Sequence, residues 1–253
     1  MRILTMLMAL MLGLLTVPGE ENSSLAKKNG YVINLDRAEK LEKMTYSSLF
    51  SKAGIIVLED TDESLLGKVD KLEVCDNNLY VLEKGRGLFL FNKQGKFIKM
   101  IGRQGKGPGE YIDPDDISID RENKKIYVLD SQTQNVLKYS GNGTFESSFK
   151  LENKGTRSTF IQPFKNALYT NLYTFDKSGK RFLLSKVDVT NGKRISFQFE
   201  ASQYNKGWNE LFSTDQHTFI SGPTGNPKFM QIFMDTIFEI TPKGIKPYIT
   251  LQS

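Results

Sequence analysis

The stretch IGRQGKGPGEYIDPDD (101–116) gathers residue types that hold phosphate: Gly102, Gly105, Gly107 and Gly109, with Arg103 and Lys106 between them. A Walker loop needs Ser or Thr directly after its lysine, and Gly107 follows Lys106 instead. A dinucleotide fingerprint must open a helix, which Pro108 and Pro114 oppose. The stretch therefore reads as a loop between two pieces of β-structure, its glycines allowing sharp turns. Asp113, Asp115, Asp116 and Asp120 make an oxygen-rich run that invites calcium. They lack the alternating spacing of a calcium loop, so turn chemistry is expected of them. No resident cofactor is expected, and calcium is the one ion this run would suit.

The remaining chemistry is sparse. His217 is the only histidine, which excludes a multi-histidine metal centre and leaves one candidate base for a serine triad. Beside a strand it reads as a surface or packing histidine. Cys75 is the only cysteine, so an intrachain disulfide and a cysteine zinc site are excluded, and it reads as an inert core thiol. Trp208, with Tyr204 and Phe212, suits either a stacking platform for sugar or peptide, or a filled junction between structural units.

Composition places these residues in an ordinary globular chain, 39% hydrophobic and 25% charged. The net charge of +5 comes from interspersed residues with no block of five like charges, so a nucleic-acid footprint is not expected. After Met1 and Arg2, the apolar run ILTMLMALMLGLLTV is shorter than a spanning helix requires. Val17 and Gly19 suit the −3 and −1 positions of a signal-peptidase site, which predicts a signal peptide over 1–19 and cleavage before Glu20. With no cysteine there to carry lipid, the mature chain is expected to be soluble in the periplasm or outside the cell.

Beyond Glu20 the elements that must position any site read as strands. Residues 36–50 give the best helix candidate, and a weak one. Four copies of one unit follow, each an apolar strand, a turn and another apolar strand: LFLFNKQGKFIKMIG (88–102), VLKYSGNGTFESSFK (136–150), SKVDVTNGKRISFQF (185–199) and TIFEITPKGIKPYITLQ (236–252). Their turn glycines are Gly95, Gly143, Gly192 and Gly244. An upstream strand precedes each, with its aromatic at Tyr80, Tyr127, Tyr169 and Phe219. A repeat of this size with four short strands is a β-propeller blade, which cannot bury both faces alone and so stacks on its neighbours. The expected fold is all-β, with blades at about 71–102, 114–150, 158–199 and 211–253. The N-terminal segment 20–70 holds two orphan strands, GYVINL (30–35) and GIIVLE (54–59).

Pro114, Ile117, Asp120, Tyr127, Asp130, Asn135, Tyr139 and Gly143 resemble an NHL-type repeat. VLEDTDESLLGKVDKLEV with GRQGKGPGEY resembles a family of exported bacterial six-bladed propellers of largely unassigned function. That resemblance implies a longer ring, so about four blades would make an incomplete six-bladed arc from a truncated ancestor. Such an arc would expose an apolar blade face and self-associate through its open edges.

Propellers bind ligands on one face near the central channel. The loop face, formed by connections between blades and by turns between second and third strands, brings in Arg86, Arg103, Lys106, Gln132, Gln134, Lys177 and, from the aromatic group, Trp208. A basic, amide-rich face suits anionic or hydroxyl-rich ligands. Two functions remain open. One is a non-catalytic binding or scaffold propeller of the cell envelope, with a glycan, peptide or protein partner. The alternative is an enzyme resembling calcium-dependent propeller lactonases, whose metal needs acidic and amide groups converging from several blades.

Overall fold

A computed structural model describes residues 30–39, 43–153, 155–174, 180–204, 217–222 and 224–252. Among them no helix is long and apolar enough to cross a membrane. The signal-peptide reading, Lys177, Trp208 and Phe212 fall outside the described residues. The chain divides into two units, one of residues 1–57 with 220–253, the other of residues 58–219.

The first unit opens with β1 (Tyr31–Asn34) and one helical turn, α1 (Tyr46–Leu49). The helix expected over 36–50 is thus reduced to that turn and a 3-10 turn at Leu35–Arg37. The second unit carries three antiparallel four-stranded meanders. The first is β2 (Lys71–Cys75), β3 (Asn78–Glu83), β4 (Gly87–Asn92) and β5 (Phe97–Ile101). The second is β6 (Pro114–Asp120), β7 (Lys125–Asp130), β8 (Asn135–Ser140) and β9 (Phe145–Lys150). A short pair, β10 (Thr156–Arg157) with β13 (Tyr173–Thr174), flanks the third: β11 (Ile161–Phe164), β12 (Ala167–Asn171), β14 (Phe182–Asp188) and β15 (Arg194–Glu200). A fourth meander is made by β16 (Phe219–Ile220), where the second unit ends and the first resumes, and by β17 (Lys228–Phe229), β18 (Thr236–Thr241) and β19 (Gly244–Gln252) of the first unit. The fold is all-β, of four four-stranded propeller blades.

Alternation explains why the blades stack. On the first blade Tyr80, Leu82, Leu88 and Leu90 point one way and pack with Ile117, Ile126, Val128 and Tyr139 of the second. The second blade turns Tyr127, Leu129, Val136 and Phe149 toward Ile161, Leu168 and Val187 of the third. Glycines make close contact between blades attainable. Gly143 has φ +77, and a Cβ there would stand 2.6 Å from Ile101 of the preceding blade. Gly192 has φ +75 and abuts the Lys150 carbonyl in the same way. The four turn glycines therefore sit where the sequence places them, in the hairpins between third and fourth strands.

Three expectations need correction. β1 is no orphan: it pairs in parallel with β19, Tyr31 opposite Ile249 and Ile33 opposite Leu251. Residues 54–59 form no strand, because they are followed by a covering segment rather than a partner. Leu58, Leu66 and Val69 lie over Leu79, Val81, Phe89 and Phe91 and bury the outer apolar face of the first blade. Glu59 fastens this segment by donating its N–H to the Gly95 carbonyl (2.7 Å) and accepting the Phe97 N–H (2.9 Å). Finally, Phe219 does not match Tyr80. It lies on the first strand of its blade, and the fully buried Phe229 occupies the second.

Tyr111, buried between the first two blades, donates its hydroxyl to the Ile101 carbonyl (2.9 Å) and accepts the Leu88 N–H (3.2 Å). Tyr111→Phe leaves both backbone groups unpaired in the core, so stability should fall by about 1–3 kcal/mol in urea denaturation.

Candidate functional site

The glycine-rich stretch does cradle an anion, and the anion belongs to the protein. Glu110 accepts the Gly107 N–H at 2.8 Å and the Arg103 Nε–H at 2.6 Å. Those bonds, the Gly107 N–H first, hold its carboxyl below the usual range. Gly102 and Gly109 press against Tyr111, Tyr139 and Phe145, which makes the stretch a packed connection between blades. Arg103 is thereby paired, while Lys106 is exposed.

Arg86 points away from that loop. Its NH1 donates to the Leu65 carbonyl and to Glu83 Oε2 (3.1 Å), and its guanidinium lies over Phe89 at 5.2 Å. It fastens the covering segment to the first blade. Gln134 is buried at 3% exposure, and its amide is fully engaged by the Ser131 and Ser158 backbone. Gln132 is exposed on the same turn. The four aspartates act as turn and strand-end acceptors. Asp113 takes the Gly85 N–H, Asp115 the Ser131 N–H, and Asp120 the Asn123 N–H. A bulge between Pro114 and Asp116 turns Asp115 outward and Asp116 inward. Among the described residues no group of three acidic, His or Cys side chains converges as a metal site.

What the structure assembles instead lies at the start of the first strands, where β2 contacts β6 and β6 contacts β11. One register position recurs. Lys71 stands opposite Leu82, Asp116 opposite Leu129, and Phe160 exchanges backbone contact with Asn171. Lys71 and Asp116 each reach the next blade. Lys71 Nζ meets Asp116 Oδ1 at 2.7 Å, and Asp116 Oδ2 accepts the Ile161 N–H at 2.8 Å. The Phe160 ring packs against His217, centroids 4.9 Å apart. Below Lys71, Glu73 takes Arg121 NH2 at 3.0 Å, which continues a chain of alternating charge along the inner strands. Burial pushes the Glu73 carboxyl up, against the pull of Lys71 and Arg121. Burial, then Lys71 and Lys84, hold the His217 imidazole below its ordinary value despite Asp116.

Sequence reasoning missed Lys71 and Glu73, weighed Asp116 only as a calcium or turn aspartate, and set His217 aside as a surface or packing group. The signal was present in KLEVC, where Lys71 and Glu73 alternate with Leu72 and Val74 and share with Cys75 the more buried side of the strand. The opposite face is closed differently. Its hairpins satisfy their own backbone: Asn92 accepts from Gln94 and Lys96, Asn142 from Thr144, and Asp188 from Thr190.

A family model described as a domain of unknown function (DUF4934) matches residues 30–253. No curated protein matches the sequence. Among solved structures, a candidate exported protein (BF0058) from Bacteroides fragilis NCTC 9343 is similar with TM-score 0.61 and 22% identity, over 77% of this chain and 54% of that one. A member of the DUF4221 family from Bacteroides vulgatus ATCC 8482 is similar with TM-score 0.50 and 10% identity, over 72% of this chain and 57% of that one. The chain thus spans little more than half the length of either. Both likenesses concern the fold.

Lys71→Met should cost about 3 kcal/mol in urea denaturation, because it strands the Asp116 carboxylate in the interior. Adding Asp116→Asn should return part of that loss. For His217 the folded pKa lies below the unfolded value of 6.5, so the unfolded chain binds the proton first. Its contribution should be complete above pH 6.5 and be lost as pH falls toward the lower folded value. His217→Gln should flatten the melting-temperature profile in that window.

Proposed function

We propose that this chain, which belongs to the DUF4934 family, is a non-catalytic binding propeller of the bacterial cell envelope. Its partner is a glycan, peptide or protein held at the inner end of the loop face. In this reading its repeats are NHL-like and belong to a six-bladed architecture, and the mature chain is periplasmic or extracellular after signal-peptide cleavage. The similarity to a candidate exported propeller supports that location.

The observation that carries the reading is the recurrent position holding Lys71, Asp116 and Phe160. Packing alone would favour apolar residues at such a position, yet Lys71 pairs there with fully buried Asp116 across two blades, which fixes the rim on which the exposed residues of the loop face stand. Exposed Lys84, Lys106 and Gln132 border it from the turns and connections. Engagement of Asp113, Asp115 and Asp116 with backbone N–H groups favours binding over calcium-assisted hydrolysis. Trp208 and Lys177 belong to the same proposed face, and self-association through free strand edges remains part of the proposal.

The test is a glycan and peptide array probed with the purified chain. Any ligand found should bind at least tenfold more weakly to the double variant Lys84→Ala, Lys106→Ala. The hairpin-face variant Lys93→Ala, Lys193→Ala should bind as wild type does. All four lysines are exposed, so both variants should keep stability within about 0.5 kcal/mol. Loss confined to the hairpin-face variant would overturn the proposal.

A further inference from the structure

We propose that Lys84, Asp115 and His217 form a subsite for a neutral sugar, which they read through adjacent ring hydroxyls. The inference rests on the loop-face binding reading and names its ligand class.

The three side chains come from distant parts of the chain. Lys84 lies on the turn between β3 and β4, Asp115 at the start of β6, and His217 just ahead of β16. Lys84 Nζ stands 4.0 Å from Asp115 Oδ1. The Lys84 N–H donates to Asp70 Oδ2 at 2.9 Å, and the His217 imidazole hydrogen-bonds the backbone of the same Asp70. Asp70 is thus a shared anchor, holding the turn of Lys84 with its side chain and His217 with its main chain. The charges of Lys71, Asp116 and Lys84 all reach the imidazole, whose ring packs on buried Phe160 with centroids 4.9 Å apart.

What each group has left over follows from these partners. Asp115 Oδ2 accepts both the N–H and the hydroxyl of Ser131, which leaves Oδ1 as the outward acceptor. The Lys84 side chain is 38% exposed, and among the described residues its one ion-pair partner is Asp115, at a separation too long for a hydrogen bond. Its ammonium donors are therefore open. The bond to Asp70 favours the charged ring, so the imidazole is the donor there. Burial, with Lys71 and Lys84, holds that imidazole below its ordinary value, so at neutral pH its second nitrogen is an acceptor.

These leftovers select the ligand. The gap between ammonium and carboxylate is closed by one atom that accepts from the first and donates to the second, and a hydroxyl does both. A carbonyl only accepts, an amide N–H only donates, and a carboxylate is repelled by Asp115. A neighbouring hydroxyl then donates to His217. Lys84 balances Asp115 and Lys71 balances Asp116, so the site draws neither an anion nor a cation. Balanced charges with open valences hold a neutral polyol well, because hydrogen bonds to charged groups are the stronger ones.

The experiment titrates the methyl glycosides of mannose, glucose and galactose into the full chain, followed by saturation-transfer NMR. D-Glucuronate, N-acetyl-alanyl-alanine and tetrahydropyran-2-methanol, a ring with a single hydroxyl, serve as comparisons. At least one glycoside should bind, with the same affinity at low and high salt because no net charge is involved. The single-hydroxyl ring and the dipeptide should bind about tenfold more weakly, and glucuronate no more tightly than the glycoside. Asp115→Asn and Lys84→Met should each weaken glycoside binding about tenfold, and His217→Phe several-fold, with melting curves establishing folded protein. Lys84→Met alters an exposed side chain, so it decides should Asp115→Asn unfold. Undiminished binding in folded Lys84→Met, tighter binding of glucuronate, or no binding of any of the three glycosides would overturn the subsite. An array ligand that needs Lys84 and Lys106 but ignores Asp115→Asn overturns the subsite and leaves the loop-face reading standing.

Discussion

A meander with apolar side chains on both faces is not stable until both faces are covered. On the first blade Leu79, Val81, Phe89 and Phe91 are buried on one side, and Tyr80, Leu82, Leu88 and Leu90 on the other. The second blade covers one side and the segment from Leu58 to Val69 covers the other. Burying several such residues, at roughly 1.5–3 kcal/mol each, outweighs the ordering of a twelve-residue segment held by few backbone hydrogen bonds. Stacking has a second consequence. It brings the first strands of adjacent blades side by side, so whatever those strands carry must pair with the neighbour or be left unsatisfied.

The inner strands meet that demand with side chains that reach forward by one blade. Lys71 binds Asp116, and Asp116 binds the Ile161 backbone. Arg121 returns to Glu73 from the turn at the far end of β6. Each bond crosses a blade boundary that apolar packing has already closed. The pairs therefore fix the register between blades more than they add net stability, since two buried ions lose nearly as much solvation as they gain in attraction. Arg194 ties the third blade to the connection that leads into it. Its guanidinium reaches the Thr170 and Ser185 hydroxyls, the Glu152 carbonyl and Ser158, and burial pulls its pKa down to about 10.

The repeat was legible in the sequence because its physics is local. Gly143 and Gly192 occupy tight hairpins at positive φ, and the runs around Tyr80, Tyr127 and Tyr169 are strands buried on both faces. What failed was long-range. Nothing near Tyr31 announces a parallel partner more than two hundred residues away, and nothing in residues 54–59 says that their neighbours will cover a blade without joining it. Phe219 was placed on the wrong strand because an aromatic beside a polar turn satisfies the pattern equally well on the first strand or the second. Among the site residues, Arg86, Arg103 and Gln134 were located on the right loops, but their partners were invisible. Glu83, Glu110 and the Ser158 backbone engage them from 3, 7 and 24 positions away. Position in a loop does not establish availability.

Reach is what separates the two kinds of polar residue in this fold, one closing within its own turn and the other crossing to the next blade. Glu110 with Arg103 closes on itself, as do Asn92, Asp120 and Asp188 in their turns, and such groups offer little to a partner. The recurrent position on the first strands is engaged as well, but across blades: Lys71 pairs with fully buried Asp116, and Phe160 is 3% exposed, so repetition fixes its geometry while leaving its chemistry unconstrained by the repeat. A symmetric ligand, or one recognised by charge alone, would call for the same residue in each blade. Lys71, Asp116 and Phe160 present three different chemistries at equivalent places, and His217 adds a fourth beside them.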